Sequence, residues 1–289
     1  MKQRLDVLLV NHGYAISREK AKAIIMSGNV FVNGQREDKA GSTFEEEGID
    51  LFIKENPLKY VSRGGLKLEK ALKTFPIELE GAVCMDIGAS TGGFTDCMLQ
   101  NGAKKVYSID VGHGQLDWKL RNDERVVCME KTNFRYVTSE QVPEKIDFAS
   151  VDVSFISLTK ILPVAHTLLG DGAMMVCLIK PQFEAGREQV GKKGVVRDAK
   201  VHEEVIGRIV EFTQGNGFEL SGLTFSPIRG PEGNIEYLMW IKKSGAGGLG
   251  ANGAGLGPDA ETNAETDAET NAETKADIAK LVKEAHESL

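Results

Sequence analysis

Apolar residues recur along the first 55 positions in two rhythms. Leu and Val fall at helical spacing from Arg4 to Asn11 and stop at Gly13, and Ser17 then stands as an N-cap before REKAKAIIM, a second helix that Gly28 closes. The next runs, VFV and IDLFI, are strand-like, and Asn33-Gly34 supplies a hairpin turn after the first of them. Two short helices and a small sheet make a compact α+β module over residues 1–56. Residues 57–65, from Pro57 to Gly65, read as a linker.

From residue 66 to residue 243 the rhythm changes. Strand-like runs VCMDI, VYSID, VVCME, IDFASVDV and AMMVCLIK alternate with helical stretches, and LSGLTFSPI and EYLMWIKK follow one another at the end. Seven such runs predict an α/β, Rossmann-like domain with a mostly parallel seven-stranded sheet, the last pair forming an antiparallel edge. Residues 244–275 lose the apolar rhythm: a Gly-rich stretch passes into AETNAETDAETNAETK, which buries too little to order itself. Helical spacing returns at Ile278, Leu281, Val282 and Ala285, so a helix over 276–289 is expected to pack back on the body.

Charge changes this picture in one respect. The net charge of -7 is concentrated in the tail, where residues 245–289 hold 3 Lys and 9 acids, whereas the first 42 residues hold 7 Lys+Arg against 4 acids. Because electrostatic footprints are local, the acidic total does not exclude an anionic partner for the first module. Cys84, Cys97, Cys128 and Cys177 are widely spaced with no C-x-x-C, which predicts reduced thiols and no metal site. The apolar run in MKQRLDVLLV is short and broken by Asp6, so neither a signal peptide nor a membrane span is expected and the cytoplasm is the expected compartment.

The first turn of the larger domain, MDIGASTGGFTD, contains Asp86, Gly88, Ser90, Thr91, Gly92, Gly93 and Phe94. Glycines between a strand and a helix N-terminus let a ligand approach the backbone, yet the spacing is neither G-x-G-x-x-G nor Walker A. Asp110 ends the second strand, where a carboxylate can accept both hydroxyls of a ribose, and Asn133 follows the third, where an adenine would lie. An adenosyl cofactor fits this order. The same turn also reads G-x-S-x-G, so a hydrolase built on Ser90, with an Asp such as Asp152 or Asp171 and His202, is the rival.

Further polar residues stand at strand ends. Asp152 ends the fourth strand, Lys180 ends the fifth, Glu236 opens the last, and Lys67 lies beside the linker. Separately each has an ordinary reading as a cap, a snorkelling strand end or a surface charge. Together they form a Lys-Asp-Lys-Glu set able to converge on one sheet edge.

The order MDIGASTGGFTD, VDVSFISL, LIKPQFE and SPIRGPEGNIEYL, preceded by RLDVLLV and SREKAKAIIMSGNVFVNG, resembles the TlyA family of ribosomal RNA 2′-O-methyltransferases, once called hemolysin A proteins. The resemblance covers residues 1 to about 243. It implies an S4 RNA-binding domain followed by an FtsJ-type class I methyltransferase domain, S-adenosylmethionine as donor, and a ribose 2′-hydroxyl of ribosomal RNA, free or in a subunit, as acceptor. It carries the family's catalytic tetrad to Lys67, Asp152, Lys180 and Glu236. Lys180 is then the base or the group that orients the hydroxyl, with Lys67 as a neighbouring cation to lower its pKa, and Asp152 and Glu236 complete the network. RNA contacts are expected from Arg4, Arg18, Lys20 and Lys22 in the first module, Arg63 in the linker, and Arg187, Lys192, Lys193 and Arg197 on a glycine-rich loop. The start at RLDVLLV resembles the shorter family type that acts on large-subunit RNA only, and small-subunit RNA as a further substrate is the alternative. No obligate protein partner is indicated, and the chain lacks the cationic amphipathic or spanning segment that a membrane-lytic protein needs.

Overall fold

The computed structural model describes residues 2–15, 17–53, 59–245 and 260–289. The chain divides into two compact units, residues 1–59 and 60–289.

In the first unit β1 (Lys2–Arg4) leads into α1 (Leu5–Asn11), followed by α2 (Arg18–Met26), β2 (Val30–Val32), β3 (Gln35–Glu37), β4 (Thr43–Glu45) and β5 (Leu51–Ile53). Ser17 caps α2 by accepting the Lys20 N–H at 3.3 Å. Asn33 and Gly34 both take positive φ, as a tight hairpin between β2 and β3 requires. Leu5, Leu9, Ala21 and Ile25 from the helices meet Val30 and Val32 from the sheet in a small core.

The second unit begins earlier than the expected linker allows. Tyr60 is 1% exposed and packs with Leu68 and Phe94, because its ring fills the space beside Gly65, where a side chain would collide with it. Then come α3 (Gly65–Thr74), β6 (Val83–Ile87), α4 (Gly93–Gln100), β7 (Lys105–Ile109), α5 (Trp118–Arg121), β8 (Val126–Met129), β9 (Ile146–Val151), α6 (Leu162–Leu168), β10 (Leu169–Ile179), α7 (Pro181–Glu184), α8 (Ala199–Gln214), β11 (Phe218–Phe225), β12 (Tyr237–Lys243) and α9 (Ala260–Ser288). The strands form one sheet in the order β11-β12-β10-β9-β6-β7-β8, parallel from β10 to β8, with β12 antiparallel to both its neighbours.

Both faces of this sheet are covered, which explains its unbroken apolar strands. Along β10, Val176 and Leu178 join a core with α3 and α4, whereas Met175, Cys177 and Ile179 join one with α6, α8 and the end of α9. Ile278, Val282 and Ala285 supply the α9 contribution, as their spacing predicts. The acidic repeat departs from expectation, since α9 starts at Ala260 and carries much of the repeat as helix. Ala and Glu are strong helix formers, and a docked end removes the cost of nucleation. The Gly-rich stretch before it lies outside the described residues.

Candidate active site

From β6 the chain runs outward through β7 and β8, then returns to place β9 on the other side of β6. The carboxyl ends of β6 and β9 therefore flank the crevice of the switch point. Gly88 leaves β6 with φ of +88°, and a Cβ there would lie 2.6 Å from the backbone oxygen of Asp152, which leaves β9. Only glycine lets these two strand ends meet. A cleft of about 500 Å³ opens above them, lined by the 88–91 turn, Gly93 and Phe94 and by Lys67, Asp152, Lys180 and Glu236.

Of the residues expected at a cofactor, Asp110 is half-buried beside the turn. Its oxygens accept the N–H groups of Ser90 at 2.8 Å and Gly112 at 2.6 Å. Each carboxylate oxygen keeps a second acceptor site for a ribose hydroxyl. Asp86, by contrast, is 0% exposed beneath the turn, where it accepts the Thr95 N–H at 2.9 Å and the hydroxyls of Thr95 at 2.7 Å and Ser150 at 3.1 Å. Burial pushes its carboxyl up to about 7 against the pull of those hydrogen bonds. It shapes the turn and does not line the cleft. Gly92 likewise lies against Leu116 and Leu120, and Asn133 accepts from the Arg135 N–H at 3.2 Å outside the cleft lining.

The loop after β7, which packs against the glycine turn, has an anchor that sequence reading missed. Glu130 accepts the N–H groups of Gly114, Gln115 and Leu116 and a bond from Arg121 at 2.7 Å. Those bonds, that of Gly114 foremost, hold its carboxyl down at about 2. Gln115 in turn accepts the Ser90 hydroxyl at 3.3 Å. A carboxylate in a loop-rich stretch carries no signal of its own until the loop is seen to fold around it.

The four residues drawn from strand ends and α3 meet. Lys67 Nζ lies 2.5 Å from Glu236 Oε2 and 3.5 Å from Asp152 Oδ2, and Lys180 Nζ lies 2.5 Å from Asp152 Oδ1. Lys180 also donates to the Ser154 hydroxyl at 3.3 Å. The two lysine side chains are 8% exposed and that of Glu236 0%. Burial pushes Lys67 down, but Asp152 and Glu236 outweigh it and hold the ammonium above its ordinary value. Burial pushes Asp152 up, yet Lys180 and Lys67 outweigh it and hold the carboxyl below its usual range. Cation and carboxylate alternate through the set, with Asp152 between the two ammonium groups. Glu236 fits since residue 230 is glycine, where a side chain would strike its carboxylate.

The rival arrangement around Ser90 does not form. His202 is 1% exposed, with Nδ1 on the Tyr237 hydroxyl at 2.7 Å and Nε2 on the Val196 oxygen at 3.0 Å, and Asp171 is 82% exposed beside Lys243.

Among the basic residues, Arg4 and Arg18 both bind Asp6, each with an Nη2–oxygen distance near 3 Å, at 3.1 and 2.9 Å. Lys20 is exposed and Lys22 half-buried on α2. Arg63, Arg187, Lys192, Lys193 and Arg197 are exposed in the second unit. The loop carrying the last three is tied at its far end, where buried Asn234 accepts the Val196 N–H at 3.1 Å and donates to the Gly194 oxygen at 2.9 Å. Sequence reading also missed Phe155, three residues beyond Asp152. It is 90% exposed at the cleft with φ of +63°, its ring centroid 4.9 Å from that of Phe183.

Such a sheet, with a glycine-turn cleft at the switch point, is that of a Rossmann-like methyltransferase, and the glycine turn with Asp110 beside it fits S-adenosylmethionine. Comparison with known proteins sharpens the class. Residues 60–243 match the FtsJ-like methyltransferase family and residues 3–48 the S4 domain. The chain is 57% identical over 247 residues to YqxC of Bacillus subtilis, covering 85% of this chain and 88% of that one. It is 40% identical over 250 residues to the 16S/23S rRNA (cytidine-2′-O)-methyltransferase TlyA of Mycobacterium tuberculosis, covering 86% and 93%. Hemolysin A of Brachyspira hyodysenteriae is 48% identical over 237 residues, covering 81% and 98%. A solved structure from Streptococcus thermophilus aligns with a TM-score of 0.69 at 45% identity, covering 99% and 96%. The chain belongs to the TlyA family of S4-linked, FtsJ-like methyltransferases. No helix among its described residues is long and apolar enough to cross a membrane.

Proposed function

We propose that this protein transfers a methyl group to the ribose 2′-hydroxyl of a cytidine in ribosomal RNA, with large-subunit RNA as a substrate. The convergence of Lys67, Asp152, Lys180 and Glu236 on the wall of the cleft carries the reading. S-adenosylmethionine supplies an electrophilic methyl on a sulfonium, so the chain's own task is to seat a hydroxyl in line with it and take its proton. Lys180 is the member assigned to that hydroxyl, since it faces one carboxylate, Asp152, and the neutral hydroxyl of Ser154, whereas Lys67 is held between two carboxylates. Lys67, fixed between Asp152 and Glu236, stays charged and keeps Asp152 aligned. Lys180 would take the hydroxyl proton as the oxygen–methyl bond forms and the methyl–sulfur bond breaks, the sulfur leaving as a neutral thioether, and Asp152 would stabilise the ammonium so formed.

The ring of Phe155 at the mouth offers a stacking surface for the nucleotide that enters, and unstacked bases are the usual substrates of such surfaces. The exposed arginines and lysines of both units supply phosphate contacts, which position without reading sequence. Cytidine and ribosomal RNA are named for the relative from Mycobacterium tuberculosis. The Campylobacter jejuni relative is named for 23S RNA alone and is 38% identical. The test is methylation of separate small subunits, large subunits and free ribosomal RNA by the wild-type chain, with the product mapped by resistance to alkaline cleavage. A base-methylated product, or none on any RNA, would overturn the reading.

A further inference from the structure

We propose that Glu184 is a positioning residue for RNA engagement: it staples the loop after β9 so that Phe155 stands at the mouth of the cleft, and it acts on methyl transfer through that ring alone. The inference rests on the reading of the cleft as the seat of the acceptor nucleotide.

The loop from Asp152 to Leu158 is tied at both ends to the short stretch 180–184 that leaves β10. At the near end Lys180 binds Asp152 at 2.5 Å and Ser154 at 3.3 Å. At the far end Glu184 accepts the Ser157 hydroxyl on Oε2 at 2.6 Å and the Leu158 N–H on Oε1 at 2.8 Å. Phe155 lies between the two ties, with its backbone in the left-handed region and its ring 90% exposed. Neither state is favourable for a bulky apolar residue, and a loop free to relax would reverse the first and fold the ring away. Bonds on both sides remove that freedom, and Phe183, one residue before Glu184, braces the ring.

The anchor is itself fixed. Arg208 of α8 donates to the backbone oxygen of Glu184. A carboxylate suits the position because it offers separate oxygens to a hydroxyl and an amide N–H. Its side chain does not line the cleft, whereas Phe155 does, so any influence of Glu184 on the reaction must pass through the loop. The competing account is that Glu184 merely caps the turn Leu158–Lys160 and adds to stability.

A double-mutant cycle in the full chain separates the two. Wild type, Glu184→Ala, Glu184→Gln, Phe155→Ala and the Phe155→Ala/Glu184→Ala pair are compared for S-adenosylmethionine affinity by calorimetry and for single-turnover transfer across a range of RNA concentration. Glu184→Ala is expected to leave cofactor affinity unchanged and to lower transfer at limiting RNA by about tenfold to a hundredfold, the scale of a small misplacement. Glu184→Gln should restore much of the loss, as its amide oxygen still accepts the Leu158 N–H. The pair should match Phe155→Ala alone. Ser157→Ala, which removes one of the two bonds, gives the same comparison if Glu184→Ala fails to bind cofactor. Losses that multiply in the pair, or normal transfer by the Glu184 variants while Phe155→Ala is impaired, overturn the inference and leave the function standing. A chain that methylates no RNA, or a Phe155→Ala variant equal to wild type, removes the inference outright, and the former removes the function as well.

Discussion

Arg4 and Arg18 converge on Asp6 in the first unit much as Lys67 and Lys180 converge on Asp152 in the second. Each cluster sets two cations about one carboxylate, and the difference lies in what the cations can still reach. The two arginine side chains are 46% and 52% exposed around an Asp6 side chain that is 0% exposed, whereas both lysine side chains are 8% exposed and a second carboxylate, Glu236, closes the set. An arginine has five N–H donors in a fixed fork, so one that spends two on Asp6 keeps others for a phosphate outside the molecule. A buried lysine has no outside, and its spare bonding capacity is available only to what enters the cleft. Similar ion pairs thus serve as a presented surface in one unit and an enclosed reaction site in the other.

The largest expected effect tests the enclosed set. Lys180→Ala should lower single-turnover transfer by about 10² to 10⁴, the range for a lost acid–base partner, while thermal stability and cofactor binding hold because Asp152 keeps Lys67. Adding Lys67→Ala should cost little more, since groups acting as a unit are not additive. Lys67→Ala alone should destabilise the fold by about 3–5 kcal/mol in denaturant titration, because buried Glu236 loses its counter-charge. Glu236→Gln in that background should recover part of the loss. A loss below about 0.5 kcal/mol would put Lys67 with the surface lysines and break the comparison.

Asp110 lies between the extremes, half-buried and held by backbone N–H groups. Asp110→Ala should weaken S-adenosylmethionine binding by roughly 1.5–3 kcal/mol in calorimetry. The exposed set should respond to acid. Hydrogen bonds from Arg4, then Arg18, hold Asp6 at about 2, below its ordinary 3.8. A depressed carboxyl stabilises fully above the ordinary value and loses that contribution as pH falls through the lower one. Stability of the first unit should therefore fall by about 1 kcal/mol between pH 4 and pH 2, allowing for screening of half-exposed partners, and Asp6→Asn should abolish the dependence in hydrogen-exchange measurements. The smallest effect is on salt: Arg18→Ala should reduce the slope of log affinity for RNA against log salt by about one, and Lys180→Ala should leave it unchanged.

The sheet, the two-unit plan and the polar strand ends at Asp152 and Lys180 were legible because each rests on local pattern, whereas Lys67 and Glu236 were joined to them only as members of a Lys-Asp-Lys-Glu set. Strand period, glycine placement and a polar residue at a strand's carboxyl end are read within a few positions. What escaped notice depends on pairing across the chain. Glu130 and Glu184 are ordinary carboxylates until loops fold against them, and Asp86 looks like a ligand contact until burial and Thr95 give it another task. Phe155 lies within VDVSFISL, three residues past Asp152. An exposed aromatic beside a polar strand end is a signal that sequence carries, whereas its positive φ is not.

The hydrogen bond from Lys67 to Glu236 joins residues 169 positions apart. Contacts of such separation form late, and a chain made from its N-terminus exposes Lys67 long before Glu236 exists. Throughout most of its synthesis the growing polypeptide can fold its first unit, yet it holds an ammonium that lacks both carboxylate partners until residue 152 and one of them until residue 236. Competence arrives with the antiparallel strand β12, the last strand of the sheet to be made, so a chain that ends before residue 236 lacks the finished reaction site.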